Sequence, residues 1–380
     1  MWNKIDKTIL QRINVQSSRN DNIDVIISGK KYNELFGLLR KQLGKKEIIS
    51  LPIISSFAVN IDIASIIQLA SDDIVEYISN NTKVCGLIYN SKKFLGVDKL
   101  LSKTNKKINH TAVVIDTGIY PHIDFVLGRN RIIKFIDLVN NRDAPYDDNG
   151  HGTFVSGVLC GNSIIDKYSG VDDTCNLIMI KALDNNGETN SIKILQAMQW
   201  ILDNKHRYNI RVVCMSFGSI SSGLLDPLVK GVEVLWNSGI VVVSAGGNSG
   251  PESQTIMSPG ASRKIITVGS LDKISGDLKV ADFSSRGPIN NVYKPDMVVP
   301  GVDIISTNVF DKEKQYYTKM TGTSVSTPMV AGIVSLLLKI NPNYTPDQIK
   351  YMLIRACEEI DGDRNIEGFG VLKLDNLRLI

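Results

Sequence analysis

The chain has 380 residues, of which 43% are hydrophobic and 22% are charged, and its formal net charge at pH 7 is +4. This length accommodates one large domain and a small one, and the composition is that of an ordinary globular protein. Because the positive charge is small and not clustered, no nucleic-acid partner is expected. No segment reaches the roughly 18–20 uninterrupted apolar residues of a membrane span, so no membrane partner is expected either.

The N-terminus and the cysteines indicate a cytoplasmic protein. Residues 1–7 contain neither an apolar run nor a small-residue cleavage site, so a secretory signal is not expected. The 5 cysteines are widely spaced and include no CxxC pair, which favours free thiols in a reducing compartment over disulfides or a zinc site. They are Cys85, Cys160, Cys175, Cys214 and Cys357.

Residues 1–84 are predicted to form a small α+β domain of their own. Strands are predicted at residues 22–28, 48–51, 56–61 and 73–78, and helices at 32–43 and 63–70. This β-α-β-β-α-β order is the split-βαβ, or ferredoxin-like, plan. The block contains no histidine and no cysteine, so catalysis within it is not expected.

Residues 85–380 are predicted to form a larger α/β domain. From residue 82 to 109 the pattern weakens and lysines accumulate, which favours a linker or processing segment. Beyond it, strands are predicted at 111–115, 177–183, 211–215, 240–244 and 264–269, and helices at 152–160, 191–204, 226–237, 324–340 and 346–357. Near-continuous apolar strands separated by helices predict a parallel sheet that is covered by helices on both faces.

Asp116 ends the first apolar strand of this domain, in the segment AVVIDTG. Functional groups collect at strand ends in open parallel sheets, although an aspartate that caps a turn fits the same pattern.

His151 is the best candidate for a general base among the 4 histidines. It is bracketed by glycines in the segment DDNGHGTFVSG and leads directly into a predicted helix. His110 and His122 flank the strand of Asp116 without such bracketing and are interpreted as surface or turn residues. His206 stands between two basic residues and is interpreted as solvated.

Ser324 lies at the predicted start of a long apolar helix, in the segment TGTSVSTP at residues 321–328. Ser324 and Thr327 are both candidate N-caps, and Pro328 suits the first helical turn. A helix start offers unpaired N–H groups and a positive dipole, which favour an anionic intermediate at the serine. Packing alone also explains such a segment, unless a base and its orienting acid occur elsewhere.

Asn248 follows a predicted strand in the segment AGGNSGP. Its side-chain NH₂ group can donate to a developing oxyanion together with the backbone N–H of Ser324. A simple Asn-Ser-Gly turn is the alternative for this motif taken alone.

Together these motifs resemble the subtilisin family. An Asp-His-Ser order on an α/β scaffold, with a separate oxyanion asparagine, is one of the convergent triad arrangements. The resemblance covers about residues 85–380, and the segments DTGIYPH, PYDDNGHGT and GPESQT are most similar to intracellular subtilisin-like proteases of spore-forming bacteria.

The resemblance implies a serine endopeptidase that acts on polypeptides. Ser324 would attack the peptide carbonyl, His151 would act as general base and then acid, and Asp116 would orient His151. Asn248 and the Ser324 N–H would form the oxyanion hole. Seven further residues are implied to bind substrate, by pairing with its backbone or by lining the pocket for the residue before the cut: Ser216, Phe217, Gly218, Ala245, Gly246, Gly247 and Met257. Met257, at the pocket floor, is expected to disfavour large aromatic side chains.

Residues 1–84 resemble the family's propeptide, which acts as an intramolecular chaperone and inhibitor. A template of this kind suits a parallel sheet with long-range contacts, because such sheets fold slowly. The resemblance places self-cleavage between about Asn81 and Lys92.

No cofactor is implied for the chemistry, whereas a structural calcium ion is left open. The loop 161–170 holds only Asp166 as a carboxylate, fewer oxygen ligands than a tight site needs. Asp172 and Asp173 are adjacent and are interpreted as solvated turn residues.

Two other functions are compatible with parts of the sequence. The first is a catalytically silent pseudoprotease that keeps the scaffold for binding or signalling, against which the intact motifs argue. The second is a nucleotide-binding oxidoreductase, which the βα alternation alone suggests. No GxGxxG motif follows the first strand of the larger domain, so this second alternative is weak.

Overall fold

The structure is a computed structural model that describes residues 2–6, 9–10, 13, 22–80, 87–104, 110–165, 168–221, 223, 226–273, 278–309 and 315–380. The chain divides into two compact units, Met1–Val84 and Cys85–Ile380.

The first unit contains a four-stranded sheet in the order β2-β3-β1-β4, with antiparallel pairing throughout. Its strands are β1 (Asn22–Gly29), β2 (Ile48–Leu51), β3 (Ser56–Asp62) and β4 (Val75–Asn80), and its helices are α1 (Tyr32–Leu43) and α2 (Ile63–Ala70). Alternate residues of β1 are buried, among them Val25 and Ile27, and they share a core with Leu35 and Ile66 from the two helices. The unit therefore has a hydrophobic core of its own, as a separate domain requires.

The second unit is built on a ten-stranded sheet whose order is β15-β16-β12-β10-β9-β8-β5-β7-β6, with β11 beside β10. Its longer strands are β5 (Thr111–Asp116), β6 (Ile132–Asp137), β7 (Asn176–Lys181), β8 (Ile210–Met215), β9 (Val241–Ala245), β10 (Ile266–Lys273) and β12 (Met297–Pro300). The short ones are β11 (Lys279–Val280), β15 (Cys357–Glu358) and β16 (Val371–Leu372), and β13 (Ile304–Thr307) pairs with β14 (Tyr317–Met320) as a separate hairpin.

Helices cover this sheet. They are α3 (Leu87–Leu95), α4 (Val97–Leu101), α5 (Ile123–Val126), α6 (His151–Cys160), α7 (Ser191–Asn204), α8 (Pro227–Asn237), α9 (Thr323–Ile340) and α10 (Pro346–Arg355). The strands from β5 to β10 and β12 pair in parallel. Every residue of β5 is buried, so both faces of the sheet are covered at its centre. The predicted parallel α/β fold is confirmed.

Strand β5 lies where the strand order reverses, because β7 pairs with one of its edges and β8 with the other. In open α/β sheets, binding and catalytic groups collect beyond the carboxyl ends of the strands at such a point. Asp116 is the last residue of β5 and therefore lies at this position.

Helix α9 is long and apolar enough to cross a membrane by length and composition, yet 89% of its apolar window is buried inside the protein. In the described part of the chain it is the one helix that passes this test, and its burial is that of a core helix.

The predicted linker is wrong for residues 87–104, which contain α3 and α4. Leu95, Val97 and Leu100 are buried in the core of the second unit. Lys92, one of the lysines that suggested a linker or processing segment, donates from Nζ to Ser169 Oγ at 2.9 Å and to Gly170 O at 2.8 Å. Packing of a few apolar side chains against the core thus stabilises two short helices in a lysine-rich segment.

Candidate active site

Asp116 and His151 form a hydrogen-bonded pair at the carboxyl end of β5. His151 Nδ1 lies 2.7 Å from Asp116 Oδ1, and the backbone N–H of Thr117 donates to the same oxygen at 2.7 Å. The Asp116 side chain is fully buried, while that of His151 is 26% exposed. A carboxylate at Nδ1 fixes the proton on that nitrogen and leaves Nε2 free to accept another. The pair is therefore arranged as a base and its orienting acid.

The charge around His151 favours its protonated form. Burial alone would lower the pKa of His151, but the Asp116 charge, the hydrogen bond to Asp116 and the charge of Asp147 together raise it above 6.5. An imidazolium that forms here during a reaction is thus stabilised.

Glycines allow the two motifs to touch through their backbones. A Cβ atom on Gly152 would lie 2.2 Å from Gly118 O, and one on Gly118 would lie 2.2 Å from Tyr146 O. No other residue type fits at either position without moving the backbone. Gly152, which follows His151, thus lets the start of α6 approach the turn that carries Asp116.

Ser324 is the second residue of α9, which begins one residue earlier than predicted. Gly322 occupies the N-cap position and no side chain caps the helix. The prediction of Ser324 or Thr327 as N-cap is wrong, and Pro328 lies inside the helix. The Thr327 hydroxyl instead donates to the Thr323 carbonyl at 2.7 Å. Because Ser324 does not cap the helix, its hydroxyl is not committed to a backbone N–H.

The side chains of Asn248 and Ser324 converge on the space above Gly322. A Cβ atom on Gly322 would lie 3.1 Å from Asn248 Nδ2 and 3.2 Å from Ser324 Oγ. The carbonyl oxygen of the Asn248 side chain accepts from both the N–H and the hydroxyl of Thr323, each at 2.9 Å. These bonds direct the NH₂ group of Asn248 away from Thr323, where it can donate to an oxyanion. Sequence reasoning did not single out Thr323, since only its contact with Asn248 reveals the role.

The helices that carry Ser324 and His151 pack against each other. A Cβ atom on Gly332 of α9 would lie 3.1 Å from Leu159 O of α6, so the two backbones approach closely. Asp116, at the end of β5, is joined to α6 by its hydrogen bond to His151. One packed set of elements thus carries all three predicted triad residues.

Four of the predicted substrate residues meet in the structure. A Cβ atom on Gly218 would lie 2.7 Å from Met257 Cβ, and one on Gly247 would lie 2.8 Å from Met257 Cγ. The Met257 N–H donates to Gly246 O at 2.9 Å, and Met257 is half-buried. Its side chain therefore fills the space between the segment after β8 and the segment after β9.

The other predicted substrate residues surround this point. Ala245 ends β9, and Ser216 directly follows β8 and is buried. Phe217 is half-buried against the main core. The neighbouring Ser219 exchanges two backbone hydrogen bonds with Ser258, at 2.9 and 2.8 Å, which hold the two segments side by side.

Two histidines that were interpreted as surface or turn residues are buried instead. His110 is 4% exposed and its Nε2 lies 2.8 Å from Ser335 Oγ. His122 is 1% exposed, and its Nδ1 accepts from the Asp124 N–H at 3.1 Å at the start of α5. Each is enclosed by partners that are distant in sequence or aromatic, which a local pattern does not reveal. His206 is exposed, as predicted.

Asp172 is also buried, which corrects its interpretation as a solvated turn residue. Its carboxylate pairs with the Lys339 ammonium and accepts from the Ser335 hydroxyl at 2.7 Å. Asp172, His110 and Cys175 place potential metal-ligating atoms within 4.8 Å of one another. Because the Lys339 ammonium already neutralises Asp172, this cluster does not fit a metal ion.

Burial lowers the pKa of His110 to about 4, so its imidazole is neutral near pH 7.

The described part of the loop 161–170 does not fit a calcium ion at Asp124. The N–H groups of Ser163 and Ile164 donate to its carboxylate at 3.1 Å each, and the Tyr317 hydroxyl approaches both oxygens at 3.1 Å. Calcium needs six to eight oxygen ligands. The described part of this loop instead presents N–H groups, which donate to the Asp124 carboxylate. Asp166 lies outside the described residues.

Comparison with known proteins decides the family. The model described as Subtilase family matches residues 109–370. The chain belongs to the subtilase family. Among curated relatives of this subtilase, serine protease AprX of Bacillus subtilis is 43% identical over 296 residues, which cover 70% of the chain and 65% of AprX. Subtilisin DY of Bacillus licheniformis is 30% identical over 281 residues, which cover 73% of the chain and 94% of the relative.

Solved structures agree with this assignment. A cold-adapted subtilisin-like serine proteinase has a TM-score of 0.58 to this subtilase and 29% sequence identity, covering 72% of the chain and 93% of that protein. The resemblance to subtilisins is confirmed. The subtilase spans 65% of the length of AprX and 64% of the length of the thermostable alkaline protease of Halalkalibacterium halodurans.

Proposed function

We propose that this subtilase is a serine endopeptidase that hydrolyses polypeptides through an acyl-enzyme. The observation that carries the proposal is the 2.7 Å bond between His151 Nδ1 and Asp116 Oδ1, combined with a serine hydroxyl and an amide NH₂ that converge above Gly322. A base with a fixed tautomer, a nucleophile and an oxyanion donor are the parts that acyl transfer needs.

In the proposed reaction, Ser324 Oγ attacks the peptide carbonyl carbon while His151 Nε2 takes the hydroxyl proton. Asp116 stabilises the resulting imidazolium. The carbonyl oxygen becomes an anion that accepts hydrogen bonds from the Asn248 NH₂ and the Ser324 N–H. His151 then gives its proton to the leaving amine. In the second half, His151 activates a water that hydrolyses the acyl-enzyme and regenerates Ser324. The steps use protein groups and water, and the proposal includes no cofactor.

Substrate is proposed to bind as an added strand beside residues 216–218, with the residue before the cut directed toward Met257. Main-chain pairing gives affinity without sequence preference, so selectivity depends on the pocket. The Met257 side chain fills space that glycines on both neighbouring segments leave open. We therefore expect small or slender side chains to be preferred over Phe and Tyr before the cut.

Residues 1–84 are proposed to be a propeptide that assists folding and then inhibits the enzyme. Their own hydrophobic core supports a separable domain. Self-cleavage was expected between Asn81 and Lys92. Residues 87–95 are helical, and a protease binds its substrate extended, so the proposed cut lies among residues 81–86. Those residues lie outside the described part of the chain.

A cytoplasmic location is proposed as well, with neither nucleic acid nor membrane as a partner. The four described cysteines are free thiols: Cys160, Cys175, Cys214 and Cys357. Free buried thiols are typical of reducing compartments. Cys85 lies outside the described residues.

The test is a fluorophosphonate probe applied to the purified wild-type chain and to Ser324→Ala, with mass spectrometry of the chain termini. The proposal expects labelling of the wild type on Ser324 and a new N-terminus within residues 82–87, both absent from the variant. A wild-type chain that resists the probe and stays intact, although folded, would instead support the pseudoprotease alternative.

A further inference from the structure

The Asp147 carboxylate is bonded to the turn that carries Asp116. Asp147 is 8% exposed. Its Oδ1 accepts from the Thr117 hydroxyl at 2.9 Å, and the same hydroxyl accepts from the Gly152 N–H at 2.9 Å. Thr117 is the residue after Asp116, so one side chain connects Asp147, the Asp116 turn and the first turn of α6.

The same carboxylate is bonded to the start of the helix that begins at His151. Oδ1 also accepts from the N–H groups of Asn149 and Gly150, at 3.1 and 2.8 Å. Oδ2 accepts from the N–H and the hydroxyl of Thr153, at 2.9 and 2.7 Å. These donors lie on both sides of His151 in the sequence. A shift of the helix start that moved the imidazole away from Asp116 would therefore break these hydrogen bonds to Asp147.

We infer that Asp147 is a positioning residue for the peptidase reaction, which holds the base His151 against Asp116 by binding both backbone segments at once. The inference rests on the proposed function. A buried carboxylate that accepts from five donors on two backbone segments is rigid, because a movement of either segment weakens several charge-assisted hydrogen bonds at once. A base must stay within hydrogen-bond reach of the nucleophile, so such rigidity bears directly on rate.

The charge of Asp147 gives the inference a readout that packing alone would not move. Its hydrogen-bond partners are all neutral groups, so its negative charge acts on His151 beside that of Asp116. Burial lowers the pKa of His151, and the charge and hydrogen bond of Asp116 raise it. The charge of Asp147 raises this pKa further. The nearby ammonium of Lys181 donates to Thr117 O at 2.6 Å and to Asp148 Oδ1 at 2.7 Å. Lys181 and Asp148 thus form an ion pair whose net charge is zero.

The test compares Asp147→Asn with Asp137→Asn in the full chain. Asp137 is a matched control, because it is 6% exposed and its carboxylate accepts from the N–H groups of Val139, Asn140 and Arg142 and from the Tyr146 hydroxyl. It ends strand β6, which β7 separates from β5 in the sheet. For Asp147→Asn we expect kcat to fall about 10- to 100-fold with little change in KM. The acid limb of the kcat/KM profile should also move to lower pH.

Asp137→Asn should lower stability and leave the acid limb where it is. Equal kcat and equal acid limbs for the two variants would overturn the inference. If circular dichroism shows that Asp147→Asn does not fold, Thr117→Val and Thr117→Ser replace it. Valine removes the bridging hydroxyl and should reduce kcat, whereas serine should restore it, and wild-type kcat in both would also overturn the inference. A wild-type chain that no fluorophosphonate labels would contradict the proposed function itself.

Discussion

Thr323 holds the side chain of Asn248 with two hydrogen bonds, from its N–H and from its hydroxyl, each 2.9 Å from Asn248 Oδ1. An amide side chain can flip by exchanging its oxygen and nitrogen, and a flipped Asn248 would present a carbonyl oxygen to the oxyanion. The Thr323 N–H can only donate, so it excludes that orientation, and the hydroxyl bond to Oδ1 strengthens the observed one. Thr323 thus selects the orientation in which Asn248 donates.

Replacing Thr323 with valine should therefore lower kcat with little effect on KM. The backbone N–H remains, so only one of the two bonds to Asn248 is lost, and a neutral hydrogen bond contributes about 1 kcal/mol. This corresponds to a decrease of about 5-fold. Thr323→Ser keeps the hydroxyl and is the control, and Asn248→Ala should cost about 100- to 1,000-fold. Steady-state kinetics on a peptide anilide compare the three variants. Equal kcat values for Thr323→Val and Thr323→Ser would contradict the role of the Thr323 hydroxyl.

The acid limb of the activity profile should lie above pH 6.5. The reaction needs neutral His151, and the pKa of His151 is raised because the Asp116 charge and hydrogen bond, with the Asp147 charge, outweigh the lowering by burial. Activity should therefore be lost as pH falls through a value above 6.5. In Asp116→Asn the limb should move to lower pH and kcat should fall about 10,000-fold. A wild-type limb at or below pH 6.5 in kcat/KM measurements would contradict this.

Much of the scaffold was predictable because its pattern is local. Helix α7 spans Ser191–Asn204, the same residues that the sequence predicts. The short strands β12 to β16 were not predicted. Strand β12 spans Met297–Pro300, where a proline argues against a strand, and β15 and β16 have two residues each. Such strands form only because neighbours pair with them.

The site was predictable in part for the same reason. The glycine-bracketed His151 and the strand-end Asp116 stand out from their immediate neighbours. Thr323 became visible only through its bonds to Asn248, 75 residues away. The interpretation of His110 as a surface or turn residue is wrong because its partner Ser335 lies 225 residues away in the sequence. Long-range polar contacts of this kind leave no periodic signal in the sequence.

Met257 should control which side chain is accepted before the cut. Its Cβ and Cγ lie 2.7 and 2.8 Å from the places that Cβ atoms on Gly218 and Gly247 would take, closer than van der Waals contact allows, so Met257→Gly enlarges the space between the two segments. We expect the ratio of kcat/KM for Phe over Ala substrates to rise by about 10-fold or more. Met257→Leu, of similar size, is the control and should keep the wild-type preference. A peptide library measures both, and a strong wild-type preference for Phe or Tyr that Met257→Gly leaves unchanged would refute this role.

The stability of the second unit should rise with pH above neutrality because of Lys294. This lysine is fully buried, and its Nζ donates to Asp296 Oδ2 at 2.6 Å and to Thr267 Oγ1 at 2.9 Å. Burial lowers the pKa of Lys294 to about 7, even though the Asp296 charge raises it, and the charge of Lys350 lowers it further. In the unfolded chain the lysine keeps its proton up to its ordinary pKa of 10.5. Between these values the unfolded state binds more protons, so the free energy of unfolding increases with pH.

Urea unfolding at pH 7, 8 and 9 measures this slope, in a Ser324→Ala background that prevents self-digestion. Lys294→Met should flatten the pH dependence, because the group that titrates is gone. Lys279→Met is the control, since Lys279 forms an exposed ion pair with Asp282, and it should keep the wild-type slope. If Lys294→Met and Lys279→Met show the same dependence on pH, the proton on Lys294 is not lost near neutrality and the buried pair with Asp296 stays charged across this range.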